Sequence, residues 1–165
     1  MTARIPGPLS RLGLSVALAA FLLDQAAKLI ASRVLDYGVP SDLVPGLLSL
    51  LLIHNTGIAF SIGHGLDSLA LIVLTAVITV AVLWIWRGAT EGGRLATVGF
   101  ALILGGAVGN LVDRVLYGHV VDFLYLHLGE RSLFVFNLAD VALTFGPILL
   151  AGVHLLGWGG GRRTG

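Results

Sequence analysis

The stretch LALIVLTAVITVAVLWIW, Leu69 to Trp86, contains no charged residue. A bilayer core of roughly 30 Å needs about 20 mostly apolar residues as a helix, so this run reads as a membrane span. Its closing tryptophans suit a membrane–water interface. Three further segments qualify: about Leu12 to Ala31, interrupted by Asp24, Gln25 and Lys28; about Leu95 to Leu111; and about Ala139 to Leu156. Composition agrees, with 56% hydrophobic and only 12% charged residues among 165 and a mean hydropathy of +0.96. A soluble domain carries roughly 25% charged residues. The expected architecture is an all-α membrane protein, a four-helix bundle forming one domain over residues 1–165.

A formal net charge of +1 speaks against nucleic acid as a partner, and the absence of cysteine excludes disulfides, thiolate zinc sites and a cysteine nucleophile. Arg4 and Arg11 before an apolar run resemble a signal peptide, but the run continues past Asp24 and Lys28 with no cleavage-site pattern. Arginines set the orientation. Arg4, Arg11, Arg87, Arg94, Arg162 and Arg163 fall on one side, and Arg33, Arg114 and Arg131 on the other. The richer side is cytoplasmic, which places both termini there. The outer loops, about 32–68 and 112–138, are the long ones, and their stretches LLSLLLIHN and RSLFVFN alternate as short surface strands do.

With this topology, polar residues from four segments converge at the outer face: Asp24 and Lys28 from the first span, Asn110, Asp113 and Arg114 from the end of the third, Asp122 from the outer loop, and Asn137 and Asp140 from the start of the fourth. Ionisable residues at membrane depth are functional candidates by default. Each also has a structural reading. Asp24 and Lys28 are i, i+4 neighbours able to pair. Asp113 stands beside Arg114. Asn137 to Asp140 reads as a capping arrangement. Gly105 and Gly109 form a GxxxG suited to helix packing. Asp122, in VVDFL, has neither a local cation nor a cap.

Two carboxylates brought close cannot both ionise easily, so one holds a proton while the other activates water. Asp122 and Asp140 permit that chemistry if the fold joins them, which spacing alone does not show. Other readings stay open: a Lys28–Ser32 dyad, a metal held by His119, Asp122, His127 and Asp140, and an ion or proton pathway.

The motifs DQAAK (Asp24 to Lys28), NTGIAFS (Asn55 to Ser61), GGAVGNLVDR (Gly105 to Arg114), GHVVDF (Gly118 to Phe123) and FNLADV (Phe136 to Val141) stand in the order that resembles the lipoprotein signal peptidase, or signal peptidase II, family. The resemblance runs from the first span to the last. It implies a bacterial inner-membrane aspartyl endopeptidase, blocked by globomycin, that cuts the signal peptide from prolipoproteins just before a diacylglyceryl-modified cysteine. It implies Asp122 and Asp140 as the catalytic pair, with Asn110, Arg114 and Asn137 supporting them. Asp24, Lys28, Asn55 and Gly57 lie in the other shared motifs. A small extracytoplasmic β-cradle and a surface helix are expected beside the bundle. Diacylated prolipoprotein and membrane lipid are the expected partners; no metal or other cofactor is expected. Ile58 stands where the family often has alanine, and FVFN lacks a proline frequent before that asparagine.

Overall fold

The computed structural model describes residues 6–57 and 68–158. Four helices, α1 (Arg11–Val34), α2 (Ser68–Gly88), α3 (Gly93–Tyr117) and α4 (Leu138–Leu156), are each long and apolar enough to cross a membrane. Four strands lie between them: β1 (Ser41–Val44), β2 (Leu48–Asn55), β3 (Val120–Leu128) and β4 (Arg131–Phe136). They form one antiparallel sheet in the order β1-β2-β3-β4. No surface helix occurs among the described residues. Residues 58–67, between β2 and α2, lie outside them, as do Ile58–Ser61 of the NTGIAFS motif and the terminal arginines Arg4, Arg162 and Arg163.

Helix α3 is the centre of the bundle. Its apolar window is 56% buried, against 11–22% for the other three, whose leucines, valines and isoleucines face outward. A soluble protein would not leave so many large apolar side chains exposed; in a bilayer they meet lipid. Glycine lets the central helix be approached on two sides. A Cβ at Gly105 would lie 2.5 Å from the Ala17 carbonyl oxygen of α1, and one at Gly106 would lie 2.6 Å from that of Ala139 in α4. The GxxxG is thus a packing surface toward α1, and its second glycine, Gly109, leaves room for the Asp24 carboxylate.

The two ends of the bundle differ. At one end, Trp86 is buried, stacks on Phe100 at 5.7 Å and donates its indole N–H to the Pro6 carbonyl. Thr97 donates to the same carbonyl. Of the two tryptophans closing α2, Trp84 has the exposed setting expected at an interface; Trp86 is core, because its side chain enters the gap that Gly13 leaves on α1. The sheet covers the other end. Helix α3 runs to Tyr117, past the expected Leu111, and closes at Gly118 in the left-handed region. Strand β3 begins two residues later, and its first four residues, Val120 to Phe123, are all buried. Asp122 therefore lies on a buried strand rather than in a loop. Asn55 pairs with Val120 and Ile53 with Asp122, so the ends of β2 and β3 meet above the last turns of α3.

Candidate functional site

Two groups of carboxylates occupy the sheet end, buried except for the half-buried Asp140, and they are held differently. The first surrounds Lys28. Its ammonium lies 2.8 Å from Asp24, 2.9 Å from Asp113 and 2.8 Å from the side-chain oxygen of Asn110. The other oxygen of Asp24 accepts the Ala139 N–H of α4 at 2.8 Å, and Asp113 accepts the Val121 N–H of β3 at 3.2 Å. Gln25 donates to both aspartates. One lysine on α1 thus ties together α3, α4 and β3. The i, i+4 pairing of Asp24 with Lys28 is present, whereas the expected Asp113–Arg114 pair is not. Adjacent helical residues diverge around the axis, and Arg114 instead donates to the carbonyls of Gly57 and Asn110 at 3.0 and 3.3 Å.

The second group is Asp122 and Asp140. Asn137 caps α4 by accepting the Asp140 N–H at 3.0 Å, while its own N–H donates to the Asp140 carboxylate at 3.2 Å, which completes a capping box. The same asparagine's amide donates to Asp122 at 2.6 Å and to the Asn110 side-chain oxygen at 3.2 Å. Asn55 supplies the second donor to Asp122 at 2.9 Å, and its own oxygen is held by the Gly57 N–H. Asn110 donates to Asp140 at 2.9 Å. Asn137 therefore bonds both carboxylates directly. Among the described residues, every hydrogen-bond partner of either is neutral.

Lys28 also settles which way Asn110 points. An ammonium can only donate, so the side-chain atom facing it must be the amide oxygen, and the NH₂ is left for Asp140. The lysine thus reaches Asp140 through an oriented amide. Asp122 lies in a setting that favours its neutral form. Burial, then the charge of Asp140, push its carboxyl up to about 7, against the amides of Asn55 and Asn137 and the more distant Lys28. Both aspartates line one cavity of about 170 Å³, together with Asn55, Asn110 and Arg114. Arg114 is buried, and its Nε–H finds no hydrogen-bond partner among the described residues. Buried polar atoms are nearly always satisfied, so an orphan beside a cavity marks a place where something else can bond.

The other sequence-level constellations do not assemble. Lys28 is occupied by two carboxylates and an amide, which leaves it no role as a free base for Ser32. His127 contacts Ser49 through Nε2 at 2.8 Å and its Nδ1–H donates to the Gly129 carbonyl at 2.8 Å, while His119 stacks on His54 at 4.0 Å. No group of three potential metal ligands forms among the described residues. Asn55 and Gly57, singled out by motif alone, gain specific partners in Asp122 and Arg114. The reach of Asn55 could be read only from the β2–β3 register, which no local pattern displays.

Fold and site together define a polytopic membrane protein with a paired-carboxylate cavity where its helices meet a small sheet. Among solved structures, a bacterial membrane enzyme determined by the in meso method at 2.3 Å resolution superposes with a TM-score of 0.82 at 26% identity, over 100% of this chain and 98% of that one. A second, at 1.9 Å, gives 0.79 at 26% identity over 94% and 97%. The profile of the signal peptidase (SPase) II family matches residues 16–156. The lipoprotein signal peptidases of Brucella ovis and Brucella melitensis are each 42% identical over 145 residues, 88% of this chain and 90% of theirs. The chain belongs to the signal peptidase II family.

Proposed function

We propose that the protein is an aspartyl endopeptidase that removes the signal peptide from diacylglyceryl-modified prolipoproteins, cutting just before the lipidated cysteine. The observation that carries this reading is the cavity shared by Asp122 and Asp140, each held by neutral amides. Two carboxylates of this kind share one proton. The ionised member takes a proton from water as the oxygen attacks the scissile carbonyl carbon, and the protonated member gives its proton to the carbonyl oxygen; the proton taken from water then passes to the leaving amine, and a hydroxyl of the tetrahedral intermediate returns its proton to the pair as the C–N bond breaks. Asp122, pushed up to about 7, suits the acid role near neutral pH. The Nε–H of Arg114, without a partner among the described residues, is a donor that could serve a substrate carbonyl on the cavity wall.

Membrane context supports the same reading. A lipidated cysteine keeps its acyl chains in the bilayer, so its neighbouring peptide bond is held near the interface, where the sheet end of the bundle would sit. The arginine bias, six residues against three, puts the termini in the cytoplasm and the cavity at the outer face of the inner membrane. Globomycin-type inhibitors would occupy this cavity.

The test is cleavage of a synthetic diacylated prolipoprotein by the purified protein in lipid nanodiscs. Asp122→Asn and Asp140→Asn each reduce cleavage roughly 10³-fold or more while the protein still inserts and purifies. Substantial cleavage by either variant overturns the dyad. Proteoliposome ion flux that depends on Asp122, without any peptidase activity, overturns the enzyme reading itself.

A further inference from the structure

The described helices carry four threonines, Thr75 and Thr79 on α2, Thr97 on α3 and Thr144 on α4. A threonine inside a helix commonly donates its hydroxyl to the carbonyl one turn back. Thr79 does so toward Thr75 at 2.7 Å, Thr97 toward Gly93 at 3.2 Å and Thr144 toward Asp140 at 2.8 Å. Thr75 is the exception. Among the described residues its hydroxyl has no hydrogen-bond partner, and the half-buried side chain lines the cavity that holds Asp122 and Asp140. We propose that Thr75 is a substrate-binding residue, whose hydroxyl bonds a backbone group of the extended signal-peptide segment next to the scissile bond; the inference rests on the peptidase reading above.

Three observations carry it. The cavity is layered. Helices α2 and α4 run away from the sheet end and α3 runs toward it, and each lines the cavity with a pair of residues about one turn apart. In each pair the polar member, Thr75, Asn110 or Asp140, lies nearer the sheet, and the apolar member, Ile78, Ala107 or Leu143, lies deeper. Asn110 and Asp140 are engaged with each other, and Lys28 and Asn137 hold them further, so the polar layer keeps one unoccupied hydroxyl, that of Thr75. The membrane setting adds a cost. Helix α2 is a span whose apolar window is only 11% buried by protein, and a hydroxyl without a partner is expensive in hydrocarbon. Having left its own helix carbonyl unused, Thr75 must find its partner in the cavity. The proposed substrate supplies one. A peptide bond reaches two carboxylates only when the chain around it is extended, which strips the neighbouring residues of helical hydrogen bonds. Their N–H and C=O groups then need partners inside the cavity, and a hydroxyl can serve either, since it donates and accepts.

The experiment measures cleavage of a synthetic diacylated prolipoprotein in nanodiscs by Thr75→Val, which deletes the hydroxyl, and by Thr75→Ser, which keeps it. Thr75→Val lowers kcat/KM roughly tenfold, the scale of one hydrogen bond lost with its partner left unmet, and Thr75→Ser stays within about twofold. Thr79→Val makes the same deletion one turn along, at a hydroxyl already bonded within its helix, and also stays within about twofold. Equal losses in Thr75→Val and Thr75→Ser, or no loss in either, overturn the proposal. So does a loss in Thr79→Val as large as that in Thr75→Val, which would mark a general effect on α2. Substrates carrying a single backbone ester in place of one non-scissile amide on the signal-peptide side then identify the partner. At the amide that meets Thr75, the ester slows the unaltered protein but leaves Thr75→Val as it was, because that bond is already gone. Additive losses with every ester show that the hydroxyl serves something other than the peptide backbone, and overturn the assignment. If the unaltered protein cleaves no diacylated prolipoprotein, the peptidase reading fails and the inference with it; the other outcomes arise only when cleavage occurs, so the two failures are distinct.

Discussion

Two pairs of aspartates, all buried except the half-buried Asp140, stand at one end of the same bundle, and they are held in opposite ways. Asp24 and Asp113 flank a lysine within 2.9 Å of each, and the ion pairs act as struts between helices. Among the described residues, Asp122 and Asp140 have only amide donors. An amide satisfies a carboxylate's lone pairs without cancelling its charge, so at Asp122 burial still favours the protonated form. In the proposed reaction, reactivity follows from withholding a cation. The lysine that could have neutralised the second pair is spent on the first, and it reaches the second only by orienting Asn110.

The largest effects should separate the pairs by kind. Asn at position 122 or 140 removes activity and spares the fold. Lys28→Met does the reverse: it leaves Asp24 and Asp113 without their cation, at a cost of about 3–5 kcal/mol typical of breaking a buried ion pair. Chemical denaturation in detergent would measure this. A Lys28→Met protein as stable as the original would erase the distinction between the pairs.

A subtler contrast appears in the pH dependence. The carboxyl of Asp122 is raised from 3.8 to about 7, so it is protonated below about 7 and charged above. Cleavage, measured as kcat/KM, should therefore fall as pH rises through this region, because the shared proton is lost. The linkage has the same sign. The folded state binds the extra proton between 3.8 and about 7, so the contribution of Asp122 to stability decreases as pH rises across that window. Asn55→Ala removes one of the two amides that stabilise the anion and should move the alkaline limb upward. A downward shift would mean that Asn55 stabilises the neutral acid instead. The limb belongs to the coupled pair rather than to one residue.

How much of this was legible beforehand depends on the range of each interaction. Spans, the Asp24–Lys28 pair and the capping box are local, set by hydropathy or by spacings of three and four, and all appear in the structure. The apolar alternation of β2 and β4 was visible too. Long-range choices were not. Asp113 stood next to Arg114 in sequence yet pairs with Lys28, because helix geometry turns neighbours apart and only tertiary packing brings α1 to α3. Strand β1 and the strand character of Asp122 depend on sheet pairing. Trp86 looked interfacial because nothing in its own segment reveals the space at Gly13. That Asn137 would bond both carboxylates could not be read from its capping motif, which accounts for only one of them.

The smallest predicted effect tests the packing beneath the contrast. Gly109 faces the Asp24 carboxylate so closely that a Cβ there would lie 2.7 Å from its oxygen. Gly109→Ala must push that side chain away from α3, toward looser contact with Lys28 and with the Ala139 N–H at the start of α4. Overpacking of this kind costs about 1–3 kcal/mol. Asp140 stands one residue beyond Ala139, so the disturbance should pass through the helix start to the proposed dyad and lower kcat modestly, with KM little changed. Gly105→Ala provides the control. It crowds α1 against α3 at Ala17 and Ala20, a comparable steric insult without a carboxylate in the way. If both alanines lower stability but only Gly109→Ala lowers kcat, the lysine-bound pair serves the amide-bound pair by holding α4 in position. Equal effects on kcat would reduce Asp24 to a packing element.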